Sequence, residues 1–451
     1  MTVPLVTLVP FFIAVGVCAW WRPRFVIVLP LIAHAAYLLR SRVVFGAIDI
    51  PTTLLELLLG AAVITGIVHW RARILSELRA LPRSVLVSVG VFLCVATISA
   101  FIAPHPRTAW GHWKAFVIEP IAYAAVLLPL LRVKEGRMLV VRALLWGGIV
   151  SAAASLIAVA LCPLFPVHCP LTADFGRLRG IYDVPNSLAL VLAPLTVFAG
   201  VLAFDSSSPF HLHRFARRAL VLFVPALLFT QSFGGLLSAG IASFIFLRKK
   251  VKSTFPLVGV VLVVGLFFLW STGRITHVFA ESSPLRARAQ IWATSAELIR
   301  DHPFLGTGLG TFEPAYQAKL HELLAKGAEN REQGTETLFT VPCCLFPPLE
   351  WVVRDPHNVL LSFWLNTGLL GLLSMGALVI FALYRADPRS PTPYTRAAQS
   401  ALITLLVFGL VDVPYMKNDL TVLWWVYSVL VFSGYSRRGA DLAPEDSQAP
   451  G

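Results

Sequence analysis

Charge is scarce in this chain of 451 residues. Asp, Glu, Lys and Arg make up 14% of it, against about 25% in a typical soluble protein. That shortage excludes an ordinary soluble enzyme and a disordered chain. Six cysteines are too few for a disulfide-stapled secreted domain of this size. The strict apolar–polar alternation of membrane barrel strands is also missing. Hydrophobic residues instead reach 57% and gather in runs long enough to cross a bilayer as helices. The composition predicts an all-α, polytopic membrane protein.

Several chemical signatures are absent as well. There is no GxxxxGK[ST] and no GxSxG, and no Cys or His pair has zinc spacing. His321-Glu322 opens like HExxH, but Ala325 stands where the second His belongs. The glycines of GTGLG (306–310) do not fit GxGxxG and follow a helical segment instead of a strand. ATP-driven transport and zinc hydrolysis are therefore not expected, and neither a metal nor a cofactor is.

The net charge of +13 is read by position. Basic residues cluster at 71–83, 132–142, 214–218, 248–252, 385–396 and 437–438, where they outnumber the acids. The positive-inside rule puts these connections in the cytoplasm and the intervening ones outside. The patches are topology signals, and no nucleic-acid module is visible. No basic residue precedes the first apolar run, so a retained first helix is expected. Spans are expected at roughly 3–20, 25–39, 44–69, 84–103, 115–131, 138–161, 186–204, 255–271, 358–384, 397–411 and 420–435. Basic clusters at both ends of 219–247 call for two short helices, broken at Gly234-Gly235, to keep both clusters inside. The count is about 12 transmembrane helices. The division is 1–271 transmembrane, 272–357 one large outer loop with amphipathic helices, 358–436 C-terminal spans, and 437–451 a cytoplasmic, disordered tail.

In the outer loop, LRARAQIWATSAELIRDHP has helical spacing, ended by Pro303 and the GTGLG glycines. Glu322 to Gln333 reads as a second, polar helix. Cys162, Cys169, Cys343 and Cys344 fall on the outer side, where a Cys162–Cys169 bridge is expected.

Three outer stretches carry residues suited to chemistry: GRLRGIYDVPNSLALVLAPL, RARAQIWATSAELIRDHPFLGTGLGTF and DPHNVLLSFWLNTGLLGLL. Taken singly, their residues have plainer roles. An Arg at a membrane edge snorkels to headgroups, Trp292 is an interfacial anchor, and the glycines serve a turn. Together they say more. Arg179 and Arg288 come from distant parts of the chain, and each guanidinium can fork onto a phosphate. His357 offers an imidazole with an ordinary pKa of about 6.5, neutral enough at pH 7 to take a proton. This set suits transfer from a lipid diphosphate, a good leaving group that needs cations, to a hydroxyl that needs a base.

The same stretches resemble the O-antigen ligase superfamily, which includes lipid A-core ligases and Wzy-type polymerases. RLRGIYDVPNSLA is similar to its Arg-x-x-Gly…Asn block. RAQIWATSAELIRDHPFLGTGLGTF is similar to its Arg…Trp…His-Pro-x-x-Gly-x-Gly block, and PHNVLLSFWLNTGLLGLL to its His-Asn…Gly-x-x-Gly block. The resemblance covers about 174–376. It implies a GT-C-like, inverting, metal-independent glycosyltransferase of a bacterial inner membrane, with its active site toward the periplasm. It would move a glycan from polyprenyl (undecaprenyl) diphosphate to a hydroxyl of a glycolipid such as lipid A-core or of another glycan. It implies His357 as base and Arg179 and Arg288 as diphosphate ligands. Read from the residues themselves, Arg177, Arg286, Asn186 and Asn358 are accessory candidates, and Asp412, at the outer end of a span, could orient His357 or an acceptor hydroxyl. Two positions depart from the pattern. Phe233 stands where the family often has Arg, and Asn366 where it often has an acid.

Three readings follow: a ligase, a polymerase with the same donor, and a lipid-linked glycan flippase or solute transporter. Broken helices and the intramembrane acids Asp49, Glu56 and Glu119 also suit transport, although no internal repeat is seen. Glu119 is the acid best suited to face a cavity.

Overall fold

The computed structural model describes residues 2–4, 9–45, 48–161, 172–173, 176–247, 284–332, 350, 352–384 and 392–434. The expected 255–271 span, the Cys162–Cys169 bridge and the 437–451 tail lie outside these residues. Among the described residues the chain is mostly helical, and six helices are long and apolar enough to cross a membrane. They are α3 (Leu54–Ala80), α4 (Arg83–Ile102), α5 (Pro106–Arg132), α6 (Lys134–Leu161), α7 (Pro185–Phe204) and α12 (Val359–Tyr384). Further helices are α1 (Val9–Trp21), α2 (Pro23–Ile32), α8 (Phe210–Phe229), α9 (Phe233–Leu247), α13 (Pro393–Gly409) and α14 (Asn418–Phe432). Two helices, α10 (Pro284–Asp301) and α11 (Phe312–Glu332), are polar on average.

The N-terminal third differs from the expected pattern. The span expected at 25–39 stops at Ile32, and His34–Leu38 forms a 3-10 turn. The span expected at 44–69 opens as strand. A small sheet joins β1 (Thr2–Pro4), β2 (Arg40–Phe45) and β3 (Ile48–Thr53), parallel then antiparallel. RSRVVFGAIDIPTT is rich in β-branched residues on either side of Gly46-Ala47, a hairpin pattern inside an apolar run. Thr53 then caps α3, its Oγ1 accepting from Glu56 N at 3.2 Å. Two further strands, β4 (Thr172–Ala173) and β5 (Arg177–Leu178), pair before α7.

α7 is buried along almost its whole length and is the axis of the bundle, with α8, α9 and α13 packed on it. A large apolar core fills the space between the spans. A second, small core is built from Ile291 and Leu298 of α10, Phe312, Tyr316 and Leu320 of α11, and Leu365 of α12. The polar helices are therefore docked on the bundle through their own apolar faces.

The helix break expected at Gly234-Gly235 falls earlier, at Thr230–Ser232. Gln231 turns the chain there at φ 48°, and Ser232 Oγ accepts from Gly235 N at 3.3 Å to start α9. The two glycines serve close packing instead. A Cβ at Gly234 would meet the Phe408 ring, and one at Gly235 would meet Ala189. The acids Glu56 and Glu119 share one partner, Lys114. Its Nζ pairs with Glu56 and lies 3.8 Å from Glu119 Oε1. Lys114 begins a π turn, Lys114–Ile118, inside α5. Asp49 lies in β3, in register with Val44, and not in a span.

Candidate active site

The site forms where one end of the bundle meets the polar helices. His357 precedes α12 by two residues. Asn358 caps that helix, with its Oδ1 accepting from Leu360 N (2.9 Å) and Leu361 N (3.2 Å). Its Nδ2 donates to Leu410 O at 3.1 Å, which ties the turn to the end of α13. Trp292 Nε1 of α10 donates to Pro356 O at 3.1 Å. His357 itself is held at φ 46°, a conformation that side chains rarely adopt. Its backbone N donates to Asp355 Oδ1 at 3.1 Å.

Two carboxylates face the imidazole. His357 Nδ1 lies 3.4 Å from Asp355 Oδ1 and 3.9 Å from Asp412 Oδ1. Asp412 is 4% exposed; its Oδ1 accepts from Val413 N at 2.8 Å and lies 3.3 Å from Lys417 Nζ. Burial alone would raise the Asp412 carboxyl, but Lys417 and His357 outweigh it and hold the group well below the usual carboxylate range. Burial alone would lower His357. Asp412 and Asp355 outweigh it, so the imidazole stands above its ordinary value, while Arg288 is close enough to pull it partly back. Lys417 likewise stays above its ordinary value against burial, because of Asp412 and Asp355.

Asp355, His357 and Asp412 each offer one ligand atom within 4.8 Å of the others. By donor type this set can hold a divalent cation. The Lys417 ammonium, however, already supplies a positive charge against Asp412. The arrangement suits holding a proton on Nδ1 and leaving Nε2 for a reactant.

The sequence-derived residues fall into two groups. His357, Asn358 and Asp412 stand together with Arg288 close by, and Arg286 lies two residues earlier, on the exposed side of α10. Arg177, Arg179 and Asn186 gather at the start of α7. Arg177 Nε donates to Thr230 O at 3.0 Å and its Nη2 to Asn186 Oδ1 at 3.0 Å, stitching the α8–α9 break to α7. Arg179 Nη1 donates to Asp183 O at 3.2 Å. The C-terminal end of α13 lies between the groups, touching Asn358 through Leu410 and packing near Gly234 through Phe408 and Val411. Sequence reasoning did not single out Lys417. Its only signal is a lone Lys five residues after an Asp, between two apolar segments. Asp355 was legible as part of DPHN but not as a partner of the imidazole.

The GTGLG turn clamps α12. Thr307 N donates to Leu365 O at 2.8 Å and Leu369 N to Phe304 O at 3.1 Å. These bonds sit at a kink where Gly368 takes φ 70°. Asn366 Oδ1 accepts from Gly310 N at 2.9 Å while its Nδ2 donates to Ser362 O at 2.9 Å. A carboxylate there could make the first bond but not the second, which accounts for the amide at this position.

No curated protein matches the chain. A family model described as O-Antigen ligase matches residues 219–333, from α8 across the Thr230–Ser232 break to α11, including Arg288, Trp292 and the GTGLG turn. His357 and Arg179 lie outside the matched segment. The match agrees with the resemblance read from the middle of the three sequence blocks.

Proposed function

We propose that the chain is an inverting, metal-independent glycosyltransferase of a bacterial inner membrane, working at the periplasmic face. It moves a glycan from polyprenyl diphosphate to a hydroxyl acceptor. The observation that carries this reading is the half-buried His357 imidazole, with Asp355 and Asp412 facing Nδ1 and the Arg288 charge beside it. An acceptor O–H gives its proton to His357 Nε2 as its oxygen bonds to the sugar anomeric carbon. The bond from that carbon to the diphosphate oxygen breaks on the opposite face, and polyprenyl diphosphate leaves. Asp412 stabilises the imidazolium formed. Arg288, with Arg179 across the end of α13, neutralises the leaving diphosphate. The outer loop formed by α10 and α11 supports the acceptor. A ligase fits this chemistry, and a polymerase differs from it only in acceptor.

The test follows labelled polyprenyl-diphosphate glycan with purified protein, a lipid A-core acceptor or a second lipid-linked glycan, and no added metal. Wild type should release polyprenyl diphosphate and form one new glycoconjugate, which tells ligase from polymerase. His357→Ala should lose transfer by roughly 100-fold or more and keep donor binding. Transfer at the wild-type rate by that variant would remove His357 as the base.

A further inference from the structure

A cleft lies away from His357, at the other end of α10. It is an open cleft of about 620 Å³, within the roughly 300–1,000 Å³ range of small-ligand sites. One wall is the end of α10 and the start of α11, with Asp301, His302, Lys319 and Glu322. Another is the outer end of α4, with Ile102 and His105, and the floor is the GTGLG turn.

Three features define what it would take. The first is its charge. Lys319, only 8% exposed, bridges Asp301 (2.8 Å) and Glu322 (3.0 Å), and Lys326 joins Glu322 from outside. Two ammonium groups thus meet two carboxylates, and the cleft presents no net positive field to attract a diphosphate. Carboxylates held this way keep lone pairs for hydroxyl donors, and the two histidines add ring nitrogens. The second is its rim. Ile102 and Leu305 line it, and the neighbouring Phe101 and Phe304 are 70% and 73% exposed. Since α4 is long and apolar enough to span, this apolar lip lies at the membrane boundary. The third is its tie to the reaction centre. α10 carries Arg288 toward His357 at one end and Asp301 at the other, about 20 Å apart at 1.5 Å per residue. The clamped turn that floors the cleft also fixes the helix that His357 precedes.

We propose that this cleft binds the hydroxyl-rich head of the membrane-anchored acceptor glycan, with the acceptor's lipid lying against the Ile102–Leu305 lip. The accepting sugar then extends along α10 to His357. The inference rests on the glycosyltransferase reading above. It adds an acceptor site separate from the arginines that serve the donor.

Ala318 lines the cleft on an exposed face of α11 and takes no part in the ion pairs. Ala318→Trp should fill the cleft without unfolding the chain, and Leu305→Trp should narrow it from the opposite wall. Full-length protein in nanodiscs is tested with two probes, lipid A-core glycolipid and polyprenyl-diphosphate glycan, first for binding of each alone and then for transfer. Both variants should raise the acceptor KM at least about tenfold and leave the donor KM unchanged. Lost binding of the lipid A-core probe alone marks a glycolipid acceptor. If the polyprenyl-linked probe instead loses affinity only in its acceptor role, the acceptor is a second lipid-linked glycan. Wild-type acceptor binding and KM in both variants would overturn the cleft while leaving the transferase reading intact. Should wild type transfer nothing, the transferase reading falls, and the binding arm still decides the cleft: equal binding by wild type and variants, or none by wild type, overturns it.

Discussion

Backbone strain and charge converge on the same few residues. Three described non-glycine residues take positive φ: Gln231, His357 and Met416. Gln231 lies in the α8–α9 break, His357 is the proposed base, and Met416 precedes the Lys417 that pairs with Asp412. Such conformations cost on the order of 1–3 kcal/mol each and persist where the surroundings fix them, often at functional sites. Asn358 and Trp292 provide that fixing for His357. The electrostatics make a signed prediction. A base must be unprotonated, so kcat/KM, which reports the free enzyme, falls as pH drops through the His357 pKa. That pKa is raised by Asp412 and Asp355 and lowered by Arg288. Asp412→Asn removes a raising charge, so the acid limb should move to lower pH and the maximal rate should drop. Arg288→Ala removes a lowering charge, so its limb should move to higher pH, alongside weaker donor binding. An unmoved limb in Asp412→Asn, with thermal unfolding of the variant unchanged, rejects a coupling between Asp412 and His357. The residue types were legible in the sequence, since Arg288, His357 and Asp412 can be named from it. Their meeting was not. Asp412 and Lys417 reach His357 through the turn after α13, and nothing local encodes that approach.

At the level of elements, the GTGLG turn was readable as a helix stop, and α10 does end at Asp301. What the turn does was unreadable, because the bonds that Thr307 N makes to Leu365 O and Leu369 N makes to Phe304 O are backbone to backbone and carry no residue signature. Gly368 is required there for two reasons: its φ of 70°, and the Phe304 carbonyl that a Cβ would strike. Gly368→Ala should destabilise the protein by more than about 1 kcal/mol and lower its thermal midpoint in detergent. Gly376 lies farther along the same helix with nothing within 4 Å of a built Cβ. Gly376→Ala should leave stability unchanged or raise it by up to about 1 kcal/mol. Equal midpoints for the two variants would mean that the kink does not depend on Gly368. The α8–α9 break teaches a related lesson. Paired glycines suggested the break, yet they were placed for close helix packing. Ser232, a good N-cap type three residues before Gly235, was the better local signal. The β2–β3 hairpin hid inside an apolar run because hydropathy alone does not separate a strand pair from the start of a span.

Across the whole molecule the charges sort to two ends. At one end Arg132 bonds Glu77, Arg396 bonds Asp205 with an Nε–Oδ2 distance of 2.6 Å, and Arg24 shares a pocket of about 220 Å³ with Arg73. All of these but Arg24 lie in or beside the basic clusters of the sequence. At the other end stand His357, the GTGLG turn, the α8–α9 break and the Arg40–Asp183 pair, 3.8 Å apart. Arg24 and Arg40 thus lie at opposite ends, a placement that the short, doubly flanked N-terminal runs did not give on sequence. By the positive-inside rule we propose that the first end is cytoplasmic and the second periplasmic. α4 tests this directly, because its 20 residues span about 30 Å, the thickness of a bilayer core. Ser84 is exposed at its start, and Phe304 is exposed beside its far end. In a chain with all six cysteines replaced, Phe304→Cys should react with a membrane-impermeant maleimide applied outside spheroplasts. Ser84→Cys should react only after the membrane is opened. The reverse pattern would place His357 in the cytoplasm, where a periplasmic acceptor could not reach it. Labelling of both from outside would mean that α4 does not cross the bilayer.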